Sequence, residues 1–143
     1  MSTILILHFA VTWAMVGLIW LVQVVNYPLF AEVPASRFQR YEKRHVQRIG
    51  FVVGPLMVAE ALTGVLLLAL APTAALHGVA VAGALLLLTI WLSTAFLQVP
   101  LHAKLEAAYD EAVHRRLILT NWVRTWAWTA RGVLLLLALL ALA

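Results

Sequence analysis

The sequence predicts an all-α fold in which four helices form a transmembrane bundle. Hydrophobic residues make up 64% of the chain and charged residues 11%, whereas soluble domains contain roughly 45–50% apolar and 25% charged residues. Four apolar stretches also reach the ~20 residues that one membrane-spanning helix needs. Because lipid cannot satisfy exposed backbone N–H and C=O groups, stretches of this length must be helices.

The predicted spans are residues 4–25, 51–71, 79–99 and 118–142 of a single membrane domain that covers residues 1–143. The first span lacks the basic n-region and the small-residue cleavage site of a signal peptide, so we expect it to remain in the protein. The short segment 72–78 predicts a tight turn, which makes the second and third spans an antiparallel hairpin. The chain has no cysteine, which excludes disulfides and thiolate metal sites.

The distribution of basic residues predicts the orientation. All ten Lys and Arg residues lie in the two longer loops or in the fourth helix, and neither terminus nor the short turn contains any. By the positive-inside rule, both longer loops are cytoplasmic and both termini are outside. The net charge is +4, which could indicate nucleic-acid binding. Because the basic residues follow the positive-inside pattern, we expect the lipid bilayer, and not nucleic acid, as their partner.

The two longer loops are predicted to be helical themselves. In the first loop, Ser36 is positioned to cap a helix. One face of this helix carries Phe38, Tyr41, Glu42, His45 and Ile49. The helix either lies on the membrane surface or continues the second span, in which case about 22 Å separates His45 from Glu60. In the second loop, residues 102–117 favour one uninterrupted helix.

Two charged side chains lie inside the predicted spans. Glu60 and Arg131 are about 13 Å and 10 Å from the cytoplasmic edge, given a helical rise of about 1.5 Å per residue. Because a charge at the bilayer centre costs from about 2.5 kcal/mol upward, such residues usually pair inside the bundle. We therefore predict an ion pair between Glu60 and Arg131. Its role is either purely structural or catalytic, with Glu60 as an internal acid or base.

A second polar group is predicted at the cytoplasmic mouth of the bundle. Glu42 and His45 have the Glu-x-x-His spacing by which one helix presents two ligands in di-iron proteins, and His102 follows the third span. Imidazole and carboxylate groups bind iron, copper, zinc or manganese, and two histidines can hold haem. A transition-metal or haem site of Glu42, His45 and His102 is one hypothesis. A solvated surface helix is the alternative for Glu42.

The fourth helix carries a polar stripe. Spacings of seven, three, four and three residues place the following side chains on one face: His114, Asn121, Arg124, Trp128 and Arg131. On this stripe, Asn121 and Arg124 would orient an anionic or oxygenated group of a substrate. No phosphate-binding loop, nucleophile elbow or other common catalytic motif accompanies them.

Two segments of the second half carry a resemblance. Pro100 and Leu101 close the third span, and the fourth span opens with Asn121, Trp122, Arg124 and Thr125. With this pattern, residues 96–128 resemble the anthrone-oxygenase-like family of small four-helix membrane proteins, although His102 stands where that family has Asn. The motifs NYPLF and TNWVRT also resemble uncharacterised bacterial membrane proteins. The resemblance implies a four-helix fold in a bacterial inner membrane and oxidation of a small hydrophobic or aromatic substrate, but no particular cofactor.

Two classes of function remain open from the sequence. The first is a membrane-embedded oxidoreductase or oxygenase that acts on a small hydrophobic substrate in a polar pocket open to the cytoplasm. The second is a non-enzymatic protein, either a structural or assembly subunit or a small transporter. Four spans without an inverted repeat do not match a conventional secondary transporter unless the protein forms a homo-oligomer.

Overall fold

The structure, a computed structural model, describes residues 2–142, which are almost entirely helical. The α-helices are α1 (Ser2–Leu21), α2 (Ala35–Leu70), α3 (Ala74–Ser93), α4 (Val99–Ala107) and α5 (Glu111–Leu142). A π-helical turn (Val22–Asn26) and a 3₁₀-helical turn (Pro28–Glu32) extend α1, and a second π-helical turn (Thr94–Gln98) joins α3 to α4. No β-strand occurs between residues 2 and 142.

Within this part of the chain, the units long and apolar enough to cross a membrane are Thr3–Glu32, Ala35–Leu70, Ala74–Ala107 and Glu111–Ala141. They confirm the predicted all-α bundle of four helices. Both α1 and α3 pack against α2 and α5, so every helix in the bundle has antiparallel neighbours. Large apolar side chains such as Leu62, Leu119 and Leu137 remain exposed on the outside, as expected where lipid surrounds the helices.

The helix α2 resolves the alternative that the sequence left open for the first loop. It runs without interruption for 36 residues, or about 54 Å, which exceeds the ~30 Å thickness of the hydrocarbon core. Residues 35–50 therefore continue the second span and do not lie flat on the membrane. The prediction that Ser36 caps this helix is wrong. The N-cap is Pro34, whose carbonyl accepts the backbone N–H of Arg37 at 2.8 Å.

Two further helix boundaries differ from the prediction. Residues 102–117 do not form one helix, because α4 ends at Ala107 and α5 begins after Asp110. The Asp110 carboxylate accepts the backbone N–H groups of the first turn of α5, at 2.8 and 3.0 Å, and so acts as its N-cap. The predicted turn at 72–78 is shorter than expected, because the Thr73 hydroxyl accepts the N–H of Leu76 and starts α3 at Ala74.

The apolar interior consists of two clusters. The larger lies toward the end of the bundle that carries the two longer loops, here called the loop end, and its most buried members include Phe30, Phe38, Ile90, Leu105, Leu117 and Trp128. The smaller cluster lies toward the other end and contains Leu5, Leu67, Leu76, Ala80 and Leu135. Polar side chains around Glu60 occupy the level between them. The helices α1 and α5 come together closely at Gly132, where a Cβ atom would lie 3.2 Å from Trp13 and Val16.

Candidate functional site

Three polar side chains from three different segments form a continuous hydrogen-bonded chain at the loop end. The Oε1 atom of Glu42 on α2 lies 2.5 Å from Nδ1 of His102 on α4. The Nε2 atom of His102 lies 2.9 Å from the hydroxyl of Tyr27, which precedes the 3₁₀-helical turn. Glu42 is fully buried and Tyr27 is 3% exposed. The structure thus joins two of the predicted ligands, Glu42 and His102, to a tyrosine.

With Glu42 as the acceptor, the hydrogen bonds define one set of proton positions in this chain. An ionised Glu42 can only accept, so the Nδ1–H of His102 donates to it. The Nε2 atom of the neutral imidazole is then an acceptor, and the Tyr27 hydroxyl donates to it. A carboxylate that fixes the histidine tautomer, with a hydroxyl donating to the other nitrogen, is the arrangement by which enzymes activate a hydroxyl group.

The backbone around Tyr27 explains its position. The N–H of Tyr27 donates to the carbonyl of Val22 at 2.9 Å, which closes the wider π-helical turn. Pro28 follows and has no N–H to continue that pattern, so a 3₁₀-helical turn begins there. The carbonyl of Tyr27 accepts Nε2–H of His114 at 2.7 Å. Turns of the π type are frequent at functional sites, and both of those in this structure adjoin the chain of polar groups.

The Tyr27 and His102 side chains face a cavity of about 240 Å³ between the helices. Its polar lining comes from Tyr27, His45, Thr94, Gln98, His102 and Arg124. Its apolar lining includes Met15, Leu18, Ile19, Val22, Ile49, Val53 and Trp128. A mostly apolar cavity with a few convergent polar groups is the general form of a small-molecule site.

Arg124 is the charged group of this cavity. It is 7% exposed and lies beside the Tyr27 hydroxyl. Its Nε–H donates to Oδ1 of Asn121 at 2.9 Å, and one terminal nitrogen donates to the Thr94 hydroxyl at 3.2 Å. Asn121 in turn donates to Gln23 at 2.7 Å. Asn121 therefore positions Arg124, while Arg124 itself reaches the cavity.

His45 forms the wall between this cavity and the outside of the bundle. Its ring stacks on that of His102 with 6.0 Å between the ring centroids, and on that of Tyr41 at 6.2 Å. On its other side, His45 lines an open cleft that also contains Arg37, Arg40, Arg44 and Arg48. The cleft provides a path from the loop end to the cavity wall.

The hypothesis of a metal or haem site concerns Glu42, His45 and His102. Within residues 2–142, no group of three or more His, Asp or Glu side chains is placed to hold a metal ion. Both ring nitrogens of His102 are engaged, one by Glu42 and one by Tyr27, so this imidazole has no free nitrogen for a metal or a haem iron. These side chains fit a chain of proton transfers better than a coordination shell.

Glu60 and Arg131 form the predicted ion pair, which the structure confirms. Arg131 contacts Oε1 of Glu60 through two nitrogens, each at 3.1 Å. The same carboxylate accepts the Thr12 hydroxyl and the Trp128 indole N–H, each at 2.9 Å. Arg131 also donates to the carbonyl of Gly83. Glu60 on α2 therefore accepts hydrogen bonds from side chains of both α1 and α5.

A histidine completes this second network. Thr63 donates its hydroxyl proton to the carbonyl of Ala59 at 2.7 Å, so the contact of 2.8 Å between Thr63 and His8 requires Nδ1–H on the histidine. Nε2 of His8 then accepts from Arg131 at 3.3 Å. Trp128 belongs to both regions, since it lines the cavity and donates to Glu60.

Of the predicted site residues, the structure brings Glu42, His45, His102, Asn121 and Arg124 to the cavity or its immediate support. It places Glu60 and Arg131 in a second network deeper in the bundle, which Trp128 connects to the cavity. Tyr27 and Gln98 were not predicted as site residues. A tyrosine near the end of a span commonly lies at the membrane interface, so only the fold shows that Tyr27 meets His102.

Comparison of the chain with protein-family models, curated proteins and solved structures finds no match.

Proposed function

We propose that the protein is a membrane-embedded oxidoreductase or oxygenase that takes a proton from a small hydrophobic substrate in the cavity. The observation that carries the proposal is the buried chain Glu42–His102–Tyr27, which ends at the cavity. The resemblance to anthrone-oxygenase-like proteins supports oxidation as the reaction class. The basic cleft beside His45 supports access from the cytoplasmic side of an inner membrane.

The chain can move a proton away from the substrate in two linked steps. The Tyr27 oxygen accepts a proton from an O–H or acidic C–H of the substrate while its own proton passes to Nε2 of His102. The resulting imidazolium is stabilised by the buried Glu42 carboxylate, 2.5 Å from its other nitrogen. General base catalysis of this kind accelerates reactions by about 10²–10⁴-fold.

Proton removal also prepares the substrate for oxidation. The electron pair of the broken bond stays on the substrate, which makes the anion a better electron donor than the neutral compound. Dioxygen or another external acceptor then takes up electrons from that anion. No step in this sequence is assigned to a metal or haem, because both ring nitrogens of His102 are engaged and no group of three ligands occurs within residues 2–142.

The proposal is tested by oxygen consumption. The protein in lipid nanodiscs is supplied with 1-naphthol or anthrone under air, and the rate is compared with that of empty nanodiscs. We expect Tyr27→Phe, which retains the ring but loses the hydroxyl, to lower the rate by about 10²–10⁴-fold. The matched control is Tyr41→Phe, since Tyr41 is exposed and has no side-chain hydrogen bond to the chain of polar groups.

The outcomes separate the two classes of function. A rate that depends on Tyr27 but not on Tyr41 supports the enzyme. No consumption above the empty nanodiscs with either compound, or equal rates for Tyr27→Phe and the unmodified protein, contradicts it. The non-enzymatic alternative, a structural or assembly subunit or a small transporter, then becomes the better explanation of the buried polar groups, which would hold the helices together.

A further inference from the structure

We infer that the cavity binds its ligand as an oxyanion, with Arg124 as the counter-ion, and that the ligand carries a second hydroxyl group for Gln98. The inference rests on the proposed function in one respect, because it concerns the same cavity. It names the substrate class: a small ring compound with one acidic hydroxyl, a phenol or an enol, and one further hydroxyl. Its two main observations, on Arg124 and Gln98, do not depend on the Glu42–His102–Tyr27 chain; only the choice of an ionised hydroxyl uses the position of Tyr27.

The first observation is that the charge of Arg124 is not compensated. In the described part of the chain, the carboxylates within 4.0 Å of a basic side chain are Glu42, beside His102, and Glu60, beside Arg131, so no carboxylate lies within 4.0 Å of Arg124. Its hydrogen-bond partners, Asn121 and Thr94, are neutral. A guanidinium keeps its proton under all ordinary conditions, and a buried charge without a partner is strongly unfavourable. A bound anion in the cavity would remove this cost.

The comparison with Arg131 makes the difference clear. Both arginines lie on α5 and both are buried, at 7% and 2% exposure. Arg131 has Glu60 at 3.1 Å, whereas Arg124 has neutral oxygens, a wall of the cavity and the Trp128 ring, whose centroid lies 5.8 Å from the guanidinium carbon. Polar or charged groups inside a membrane domain that lack a partner from the protein mark a ligand site or an ion path.

The second observation is an unused acceptor on the opposite helix. Gln98 is 1% exposed, and its side-chain N–H donates to the Thr120 hydroxyl at 3.1 Å. Among residues 2–142, its carbonyl oxygen, Oε1, is buried without a hydrogen-bond partner, and Gln98 lines the cavity. Leaving such a group unpaired costs free energy. A ligand hydroxyl that donates to Oε1 would satisfy it.

The position of Arg124 favours an ionised hydroxyl over other anions. Because the guanidinium lies beside the Tyr27 hydroxyl, it faces the point at which Tyr27 would receive a substrate proton. An oxyanion formed there is stabilised without any movement of the protein. The volume sets the size: an apolar cavity of about 150 Å³ holds benzene, so about 240 Å³ accommodates a ring with several substituents.

The test uses 4-nitrophenol, whose phenolate absorbs visible light and whose neutral form does not. The probe is titrated with pH in the presence of nanodiscs that carry the protein, and empty nanodiscs provide the baseline for partitioning into lipid. We expect the apparent pKa of the bound probe to fall by at least about one unit, which is a tenfold preference for the phenolate. Arg124→Gln abolishes the shift and Arg124→Lys retains most of it.

Two controls keep the result specific. Arg44→Gln removes a charge from the exposed basic cleft and should leave the shift unchanged. An equal loss in Arg44→Gln and Arg124→Gln would mean that surface charge attracts the phenolate, which overturns the inference. Helicity and elution volume show whether Arg124→Gln is folded, and retention of the shift by a folded Arg124→Gln also overturns it. If 4-nitrobenzoate displaces the probe at a lower concentration than 4-nitrophenol itself, the anion is a carboxylate and not a phenolate.

The hydroxyl for Gln98 is tested with 4-nitrocatechol, which adds one hydroxyl to the probe. We expect the catechol to bind about fivefold more tightly than 4-nitrophenol, the effect of one neutral hydrogen bond, and Gln98→Leu to remove this advantage. Equal binding of the two probes to the unmodified protein would refute the role of Gln98.

Tyr27→Phe retains Arg124, so a Tyr27→Phe protein that still lowers the probe pKa but consumes no oxygen separates the two proposals. A pKa shift in a protein that oxidises nothing leaves the anion site in place without the enzyme.

Discussion

The two buried arginines of α5 should differ sharply in what their removal does to stability. In Arg131→Met, the Glu60 carboxylate stays fully buried but loses its counter-ion and keeps only the donors Thr12 and Trp128. Removing one partner of a buried pair costs about 3–5 kcal/mol. Arg124→Met loses two hydrogen bonds to neutral oxygens, about 0.5–1.5 kcal/mol each, but it also removes an uncompensated charge. We therefore expect a net change within about 1 kcal/mol.

The measurement is reversible unfolding in mixed micelles, followed by far-ultraviolet circular dichroism, for both variants without ligand. A second comparison tests the pair itself. Glu60→Gln should be destabilising, and Arg131→Met in that background should recover part of the loss because no charge is then left alone. Additive losses in the double variant would show that the pair is not coupled. Equal losses for Arg131→Met and Arg124→Met would contradict the distinction between a compensated and an uncompensated arginine.

Two further predictions concern the close contact of α1 with α5 and the N-cap of α5. Gly132→Ala should destabilise the bundle by about 1–3 kcal/mol, because the new Cβ would lie 3.2 Å from Trp13 and Val16. Gly17→Ala is the control, since nothing lies within 4 Å of its new Cβ. It should be neutral or stabilising by up to about 1 kcal/mol. Equal effects in the same unfolding assay would exclude close packing at Gly132. Asp110→Ala should cost about 0.5–2 kcal/mol through loss of the α5 cap, and an unchanged unfolding curve would refute that role.

The bundle could be predicted because membrane insertion depends on local properties. The length and polarity of residues 51–71 or 79–99 identify a span without any knowledge of its neighbours. The Glu60–Arg131 pair was also predictable, since depth along a helix follows from residue count and two opposite charges at one depth rarely stay apart. Breaks such as the one at Asp110 were missed, because residues 102–117 have good helix propensity throughout and the cap outweighs it.

The candidate site could be predicted only in part. The sequence pointed to Glu42, His45 and His102 at one end of the bundle, but as ligands of a metal. The number of free nitrogens on His102 is a property of its neighbours, and the decisive neighbour, Tyr27, comes from a distant segment whose orientation depends on a π-helical turn. Such a turn shifts the direction of every later side chain and has no clear sequence pattern.

The sequence by itself therefore determined that this is a four-helix membrane protein with charged longer loops and a buried ion pair, because hydrophobic length and charge distribution act residue by residue. The tertiary structure alone decided that Tyr27 completes the Glu42–His102 chain, that the length of α2 separates Glu42 from Glu60, and that Arg124 has no counter-ion among residues 2–142. These three features depend on the rotation and register of packed helices, and distances between side chains of different helices are fixed only when the bundle closes.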